Sequence, residues 1–146
     1  MIKLKYRFIV FTVLLLLGFL GDSGSIGWAR HRQIYKNISV DQFAKMLGHK
    51  DFTLINVHVP YEGEIEGTDL LIPFNQIDRF KDQLPADKTA EVVVYCLTGP
   101  MASIAAEELV NLGYTHVMQL QGGLMAWQNF GKQVLNRYNG RRSSRY

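Results

Sequence analysis

The sequence has one cysteine, Cys96, in 146 residues. A lone thiol closes no intramolecular disulfide and builds no multi-thiolate zinc site, so neither device staples this chain. An apolar run of membrane-spanning length is also missing. The longest, Phe8 to Leu20, has thirteen residues, against the roughly 20 a spanning helix needs. Nor does the body of the chain carry an excess of positive charge. The formal net charge is +3, but Lys3, Lys5 and Arg7 less Asp22, together with Arg141, Arg142 and Arg145, supply five positive charges, leaving about −2 between them. Nucleic-acid binding requires a basic face on the folded domain and is not expected. The basic end, residues 136–146, reads as a solvated tail.

What the chain does have is material for one core. Hydrophobic residues make up 47% and charged residues 20%, the composition of a globular protein and not of a disordered or multi-span one. At this length there is room for a single domain.

Residues 1–29 are set apart. Three cations in MIKLKYR precede FIVFTVLLLLGFL, and the small and polar stretch GDSGSIGWA follows. This is the order of a secretory signal, with cleavage expected after Ser23, Ser25 or Ala29, or alternatively an uncleaved N-terminal anchor. Either outcome places the domain outside the cytoplasm, periplasmic or secreted, or tethered to the membrane by this segment alone. No cysteine lies near the apolar run, which excludes lipid anchoring through one.

From Ile34 to about Leu135, short apolar runs alternate with helical periods. Ser39 and Gln42 form a capping box for a helix through about Leu47, ended by Gly48. FTLINV (Phe52 to Val57) reads as a strand leading into the loop HVPYEGEIEGTD, LLIP as a further short strand, and Asn75 as the cap of a short helix through about Leu84. EVVVYC, Glu91 to Cys96, reads as a strand buried on both faces. Met101 to Leu112 is periodic as a helix with Gly113 at its end, Thr115 to Leu120 as a strand, and Gly122–Gly123 leads into a last helix containing Trp127 and closed by Gly131. This alternation predicts an α/β domain with a mostly parallel central sheet flanked by helices. Ligands of such sheets bind outside the carboxyl ends of the strands, where Cys96 falls.

A thiol ending a buried strand, followed by a glycine turn and a helix start, faces backbone N–H groups and the positive end of a helix dipole. Both favour an anion, and the thiolate is the nucleophilic form of cysteine. Pro100 suits the first helical turn, where its missing N–H is not needed. Gly99 can adopt the positive φ a tight cradle requires.

VVVYCLTGPMAS followed by AAEELVNLGYTHVMQLQGGLMAW, with LINVHVPYEGEIEGTDLLIP before it, resembles the rhodanese-like domain family around its active-site cysteine. The resemblance runs from about Ile38 to Val134 and is specific in combination: strand-Cys-x-x-Gly, then a helix, then Gly-Gly with a following Trp. It implies a sulfurtransferase or sulfur carrier with Cys96 as the catalytic nucleophile. The backbone of Leu97, Thr98, Gly99, Met101 and Ala102 would hold the substrate. Cys96 would take a sulfane sulfur from a donor such as thiosulfate or polysulfide, form a persulfide, and pass the sulfur to a thiophilic acceptor. No metal and no cofactor is implied.

The departures from the family pattern concern charge. Arginines common in the family's active loop correspond here to Leu97, Pro100 and Met101. Arginine would hold an anionic donor by Coulombic attraction. Asn56 and His58 stand where the family usually has an acidic residue and an arginine. His58 is therefore the candidate auxiliary residue, able as a protonated imidazole to restore a cation near the site. The missing arginines also support an alternative, a catalytically weak binding or regulatory module on the same fold. A Cys-dependent phosphatase would need Cys-x5-Arg to grip phosphate, and the sixth residue after Cys96 is Ala102. Glu62, Glu64 and Glu66 read as a solvated acidic loop, and Gly122–Gly123 lacks the frame of a phosphate loop.

Overall fold

The computed structural model describes residues 34–137. The leader expected over residues 1–29 and most of the expected tail lie outside the described residues. In chain order the elements are β1 (Lys36–Ile38), α1 (Val40–Leu47), β2 (Thr53–Asn56), β3 (Leu70–Leu71), a 3-10 helix (Asp78–Gln83), β4 (Glu91–Tyr95), α2 (Pro100–Asn111), β5 (His116–Leu120) and α3 (Gly123–Asn129). The strands form one sheet in the order β1-β5-β4-β2-β3, and every pairing in it is parallel.

Strand parity divides the apolar residues between two faces. Along β4, Val92 and Val94 point to one side with Ala102, Ala105, Ala106 and Leu109 of α2. Val93 and Tyr95 point to the other with Phe43 of α1 and Leu124 and Trp127 of α3. Because Cys96 continues this alternation, its side chain belongs to the α2 face. The central strand is buried on both sides, the property that makes a parallel strand a continuous apolar run and EVVVYC readable.

The topology fixes where a ligand can enter. From β2 the chain moves outward to edge strand β3, whereas from β4 it crosses through α2 to β5 on the opposite side. The loops leaving the adjacent strands β2 and β4 therefore diverge, opening a crevice at their carboxyl ends. Cys96 is the first residue beyond β4.

The expected capping box on α1 is present. The amide of Gln42 donates to Ser39 Oγ at 3.2 Å and the amide of Ser39 donates to Gln42 Oε1 at 3.0 Å. Two local expectations are corrected. Asn75 caps nothing, since the segment after it is a 3-10 helix whose N-cap is Ile77 and has no side-chain cap bond. Strand β1 was not expected. Its burial pattern leaves only Ile38 inside, so an edge strand of three residues carries almost no alternation to read. Among the described residues no helix is long and apolar enough to cross a membrane.

Tyr95 is completely buried and ties the sheet to the loop after β2. Its hydroxyl accepts from the amide of Ile65 at 3.0 Å and shares a hydrogen bond with Thr68 Oγ1 at 2.7 Å. Burial pushes this phenol up from 10.0 to about 12. The folded-state value lies above the unfolded one, so between these limits the unfolded chain has lost the proton that the native state still holds. Stability is then complete below about pH 10 and falls, by about 3 kcal/mol in all, as the pH approaches 12. Urea unfolding across this alkaline range should show that decline, and Tyr95→Phe should flatten it.

Candidate active site

β4 delivers Cys96 to the crevice, and the loop behind it folds back onto the sulfur. Gly99 adopts φ +128°, a left-handed conformation that a side chain would resist. This turn aims the Gly99 amide at Cys96 Sγ, which accepts from it at 3.0 Å. Pro100 then opens α2. The amides of Met101 and Ala102 lie in the first helical turn, where no intrahelical acceptor exists for them. The Gly99 amide dipole thus points at the sulfur, and the start of the helix adds its own field in the same sense. Cys96 is only 2% exposed. Thr98 is exposed and Leu97 and Met101 are half-buried.

Two contacts hold the loop in this shape. On one side Gln119, buried on β5, donates through Nε2 to the Gly99 carbonyl at 3.2 Å and accepts from Ser103 Oγ at 2.9 Å. Gln119 is a functional support that the sequence reading missed. The available clue was an amide at a position of β5 that strand alternation buries. On the other side the start of α3 seats on the loop: the amides of Leu124 and Met125 donate to the carbonyls of Cys96 and Leu97 at 2.9 and 3.0 Å. This close approach explains Gly123. A Cβ there, where φ is +56°, would overlap both of those carbonyls. Gly122, at φ +73°, has a different reason: a Cβ there would run into the Ala126 side chain.

The loop after β2 forms the other lip. Val57 donates its amide to Tyr95 O at 2.9 Å, so His58 follows within one residue of the crevice. The His58 side chain is 11% exposed, its ring nitrogens make no hydrogen bond, and Nε2 lies 3.6 Å from Glu62 Oε2. Any charge on the imidazole is therefore paired with a carboxylate. Asn56 is committed to shaping the loop, donating from Nδ2 to Gly63 O at 2.9 Å and accepting the His58 amide at Oδ1 at 3.0 Å.

The reading of Glu62, Glu64 and Glu66 as one solvated loop is corrected at its middle member. Glu62 and Glu66 are exposed, but Glu64 is buried and its two carboxylate oxygens each lie 2.6 Å from Arg137 Nε. Arg137 also donates to the Thr68 carbonyl at 3.2 Å, and Glu64 and Leu135 form an isolated antiparallel bridge. Residues 135–137 thereby clamp the β2 loop. The hydrogen bond to Glu64, with the charge of that carboxylate, raises the already high value of the Arg137 guanidinium, which keeps Arg137 charged at every ordinary pH.

A family model for the rhodanese-like domain matches residues 39–130. The chain belongs to the rhodanese-like domain family. It is 30% identical over 89 residues to a sulfurtransferase of Allochromatium vinosum, covering 59% of this chain and 80% of that protein. It is 29% identical over 97 residues to the thiosulfate sulfurtransferase GlpE of Pseudoalteromonas translucida, covering 64% and 90%. In fold it is similar to a rhodanese-related protein from Thermoplasma volcanium, with a TM-score of 0.60 and 25% identity over 69% of this chain and 98% of that one. These are relatives in a family of sulfurtransferases and sulfur carriers.

The α3 joint makes a mutational prediction. Gly123→Ala should push α3 off the Cys96 and Leu97 carbonyls and cost about 2–4 kcal/mol from overpacking and backbone strain. Thermal or urea unfolding measures that loss. Ala at Gly131, where φ is also positive but a Cβ would meet nothing within 4 Å, should cost about 1 kcal/mol.

Proposed function

We propose that this domain transfers sulfane sulfur through a persulfide on Cys96. The observation that carries the reading is the Gly99 amide bonded to Sγ at 3.0 Å, beside the start of α2. In the loading step the Cys96 thiolate attacks the outer sulfur of a donor such as thiosulfate. A new S–S bond forms at Cys96, the donor's S–S bond breaks, and its electron pair departs with sulfite. In the second step a thiophilic acceptor, a thiol or cyanide, attacks the outer sulfur and leaves the Cys96 thiolate behind. The amides of Leu97, Thr98, Gly99, Met101 and Ala102 stabilise the charge on Cys96 Sγ before loading and on the outer sulfur of the persulfide after it, so the same dipoles serve loading and discharge. His58 serves as an auxiliary group at the lip of the crevice, with Glu62 as its counter-charge. The leader-like segment over residues 1–29 supports a site of action outside the cytoplasm, periplasmic, secreted or anchored to the membrane through that segment alone.

A second reading follows from the charge of the loop: residues 96–101 contain no Lys or Arg. A domain so built loads sulfur stoichiometrically but turns over slowly, acting as a carrier or regulatory module. Steady-state turnover against cyanide separates the two readings.

Mass spectrometry of the protein after incubation with thiosulfate or polysulfide should show the gain of one sulfur atom, reversed by cyanide. Cys96→Ser should gain none. A wild-type protein left unmodified by every sulfane donor would contradict the reading.

A further inference from the structure

The Gly99 carbonyl is a crowded acceptor. It takes the Ser103 amide at 3.0 Å, the first hydrogen bond of α2, and Gln119 Nε2 at 3.2 Å. Gln119 is buried on β5, so its side-chain amide is settled by protein partners. Only the Nε2 end can face a carbonyl, because two oxygens have no hydrogen to share. That leaves Oε1 directed at Ser103 Oγ, 2.9 Å away. The Ser103 hydroxyl has one hydrogen and two acceptors near it, Gln119 Oε1 and, at 3.4 Å, the Gly99 carbonyl. The shorter contact lies within the range of a good O–H···O bond and the longer one outside it, so the hydrogen goes to Gln119.

The result is a directed chain, from Ser103 Oγ to Gln119 Oε1 and from Gln119 Nε2 to the Gly99 carbonyl. It ends on the residue whose amide donates to Cys96 Sγ at 3.0 Å. Gly99 is also the N-cap of α2, and no side chain caps that helix end. Glycine is the residue freest to rotate about φ and ψ, so an untethered Gly99 would let its amide swing away from the sulfur. The Gln119 amide closes the space beside it as well, since a Cβ at Gly99 would lie 3.4 Å from Nε2. Hydrogen bonds in a buried chain polarise and stiffen one another. An amide dipole stabilises a developing charge best when its orientation is fixed beforehand.

We propose that Ser103 and Gln119 are positioning residues for the sulfur chemistry of Cys96. Their hydrogen-bond chain holds Gly99 in the orientation that keeps its amide on the sulfur as negative charge gathers there. The proposal rests on the persulfide reading above and assigns two side chains that set its rate. Both act through the Gly99 backbone. Ser103 fixes which way the Gln119 amide faces, and Gln119 fixes the Gly99 carbonyl.

The rate of sulfur gain on Cys96 from thiosulfate, read by mass spectrometry on the full chain across a pH series, tests this. Gln119→Met keeps the side-chain volume and removes both bonds, Ser103→Ala removes the hydroxyl alone, and Ser103→Thr restores it. Gln119→Met should slow loading at neutral pH by about three- to tenfold, the scale of one neutral hydrogen bond. It should also carry the pH–rate profile toward alkaline pH, because a thiolate held less well forms later. Ser103→Ala should do the same to a smaller extent, and Ser103→Thr should return both rate and profile to those of the wild type. Adding Ser103→Ala to Gln119→Met should slow loading no further, since the two side chains act in one chain. Unchanged rates and profiles in Gln119→Met and Ser103→Ala, in a protein that loads normally as wild type, overturn the positioning role and leave the persulfide reading intact. A slower Ser103→Ala with its profile unmoved and no recovery in Ser103→Thr overturns it too. A wild-type protein that gains no sulfur overturns both. Alanine is the best helix former, so Ser103→Ala, inside α2, carries the test by itself if Gln119→Met does not fold.

Discussion

The hydrogen bond from the Gly99 amide to Cys96 Sγ, 3.0 Å long, exists only because several independent constraints meet at one loop. Strand parity must send Cys96 to the α2 face, a residue without a Cβ must take φ +128° at position 99, and α2 must begin directly behind it. Gln119 then fixes the Gly99 carbonyl, and α3 fixes the carbonyls of Cys96 and Leu97. The loop is thus gripped by its carbonyls from two sides while the Gly99 amide is left to the sulfur. Such a loop is polarised by dipoles whose orientation is set during folding, and residues 96–101 themselves carry no side-chain cation.

The same economy governs the opposite lip. Tyr95, one residue before Cys96, reaches through the second face of the sheet to Ile65 and Thr68. The buried carboxylate of Glu64 is matched by Arg137 from the end of the described chain. An unmatched carboxylate in that position would cost several kcal/mol, so the contact between residues 135–137 and the β2 loop contributes directly to the shape of the crevice. Charge at this lip serves architecture, and the polar contact made to Cys96 Sγ comes from the Gly99 backbone.

Much of this was legible in the residues, and the reason is local. β4 is buried on both faces, and α1 has a capping box in which each partner lies three residues from the other. The Cys-x-x-Gly-Pro order encodes the turn and helix start within five residues. What escaped depends on partners distant in sequence. Glu64 looked like its exposed neighbours because its partner lies 73 residues away, and Gln119 supports a loop 20 residues before it. β1 shows one buried residue in three, too little for a period. Gly122–Gly123 was visible as a pair but not as a joint, since the cause of Gly123 is the carbonyls of Cys96 and Leu97 pressed against it.

The central claim is that backbone amides, with Gly99 foremost, carry the charge of the reacting sulfur. The amide resonance of Gly99, followed by NMR before and after loading Cys96 with one sulfur atom, tests it most directly. The account predicts that the Gly99 signal, together with those of Met101 and Ala102, moves on loading, returns on discharge with cyanide, and stays still in Cys96→Ser. Loading that leaves these amides unmoved, with the changes falling on His58 or elsewhere, would contradict it.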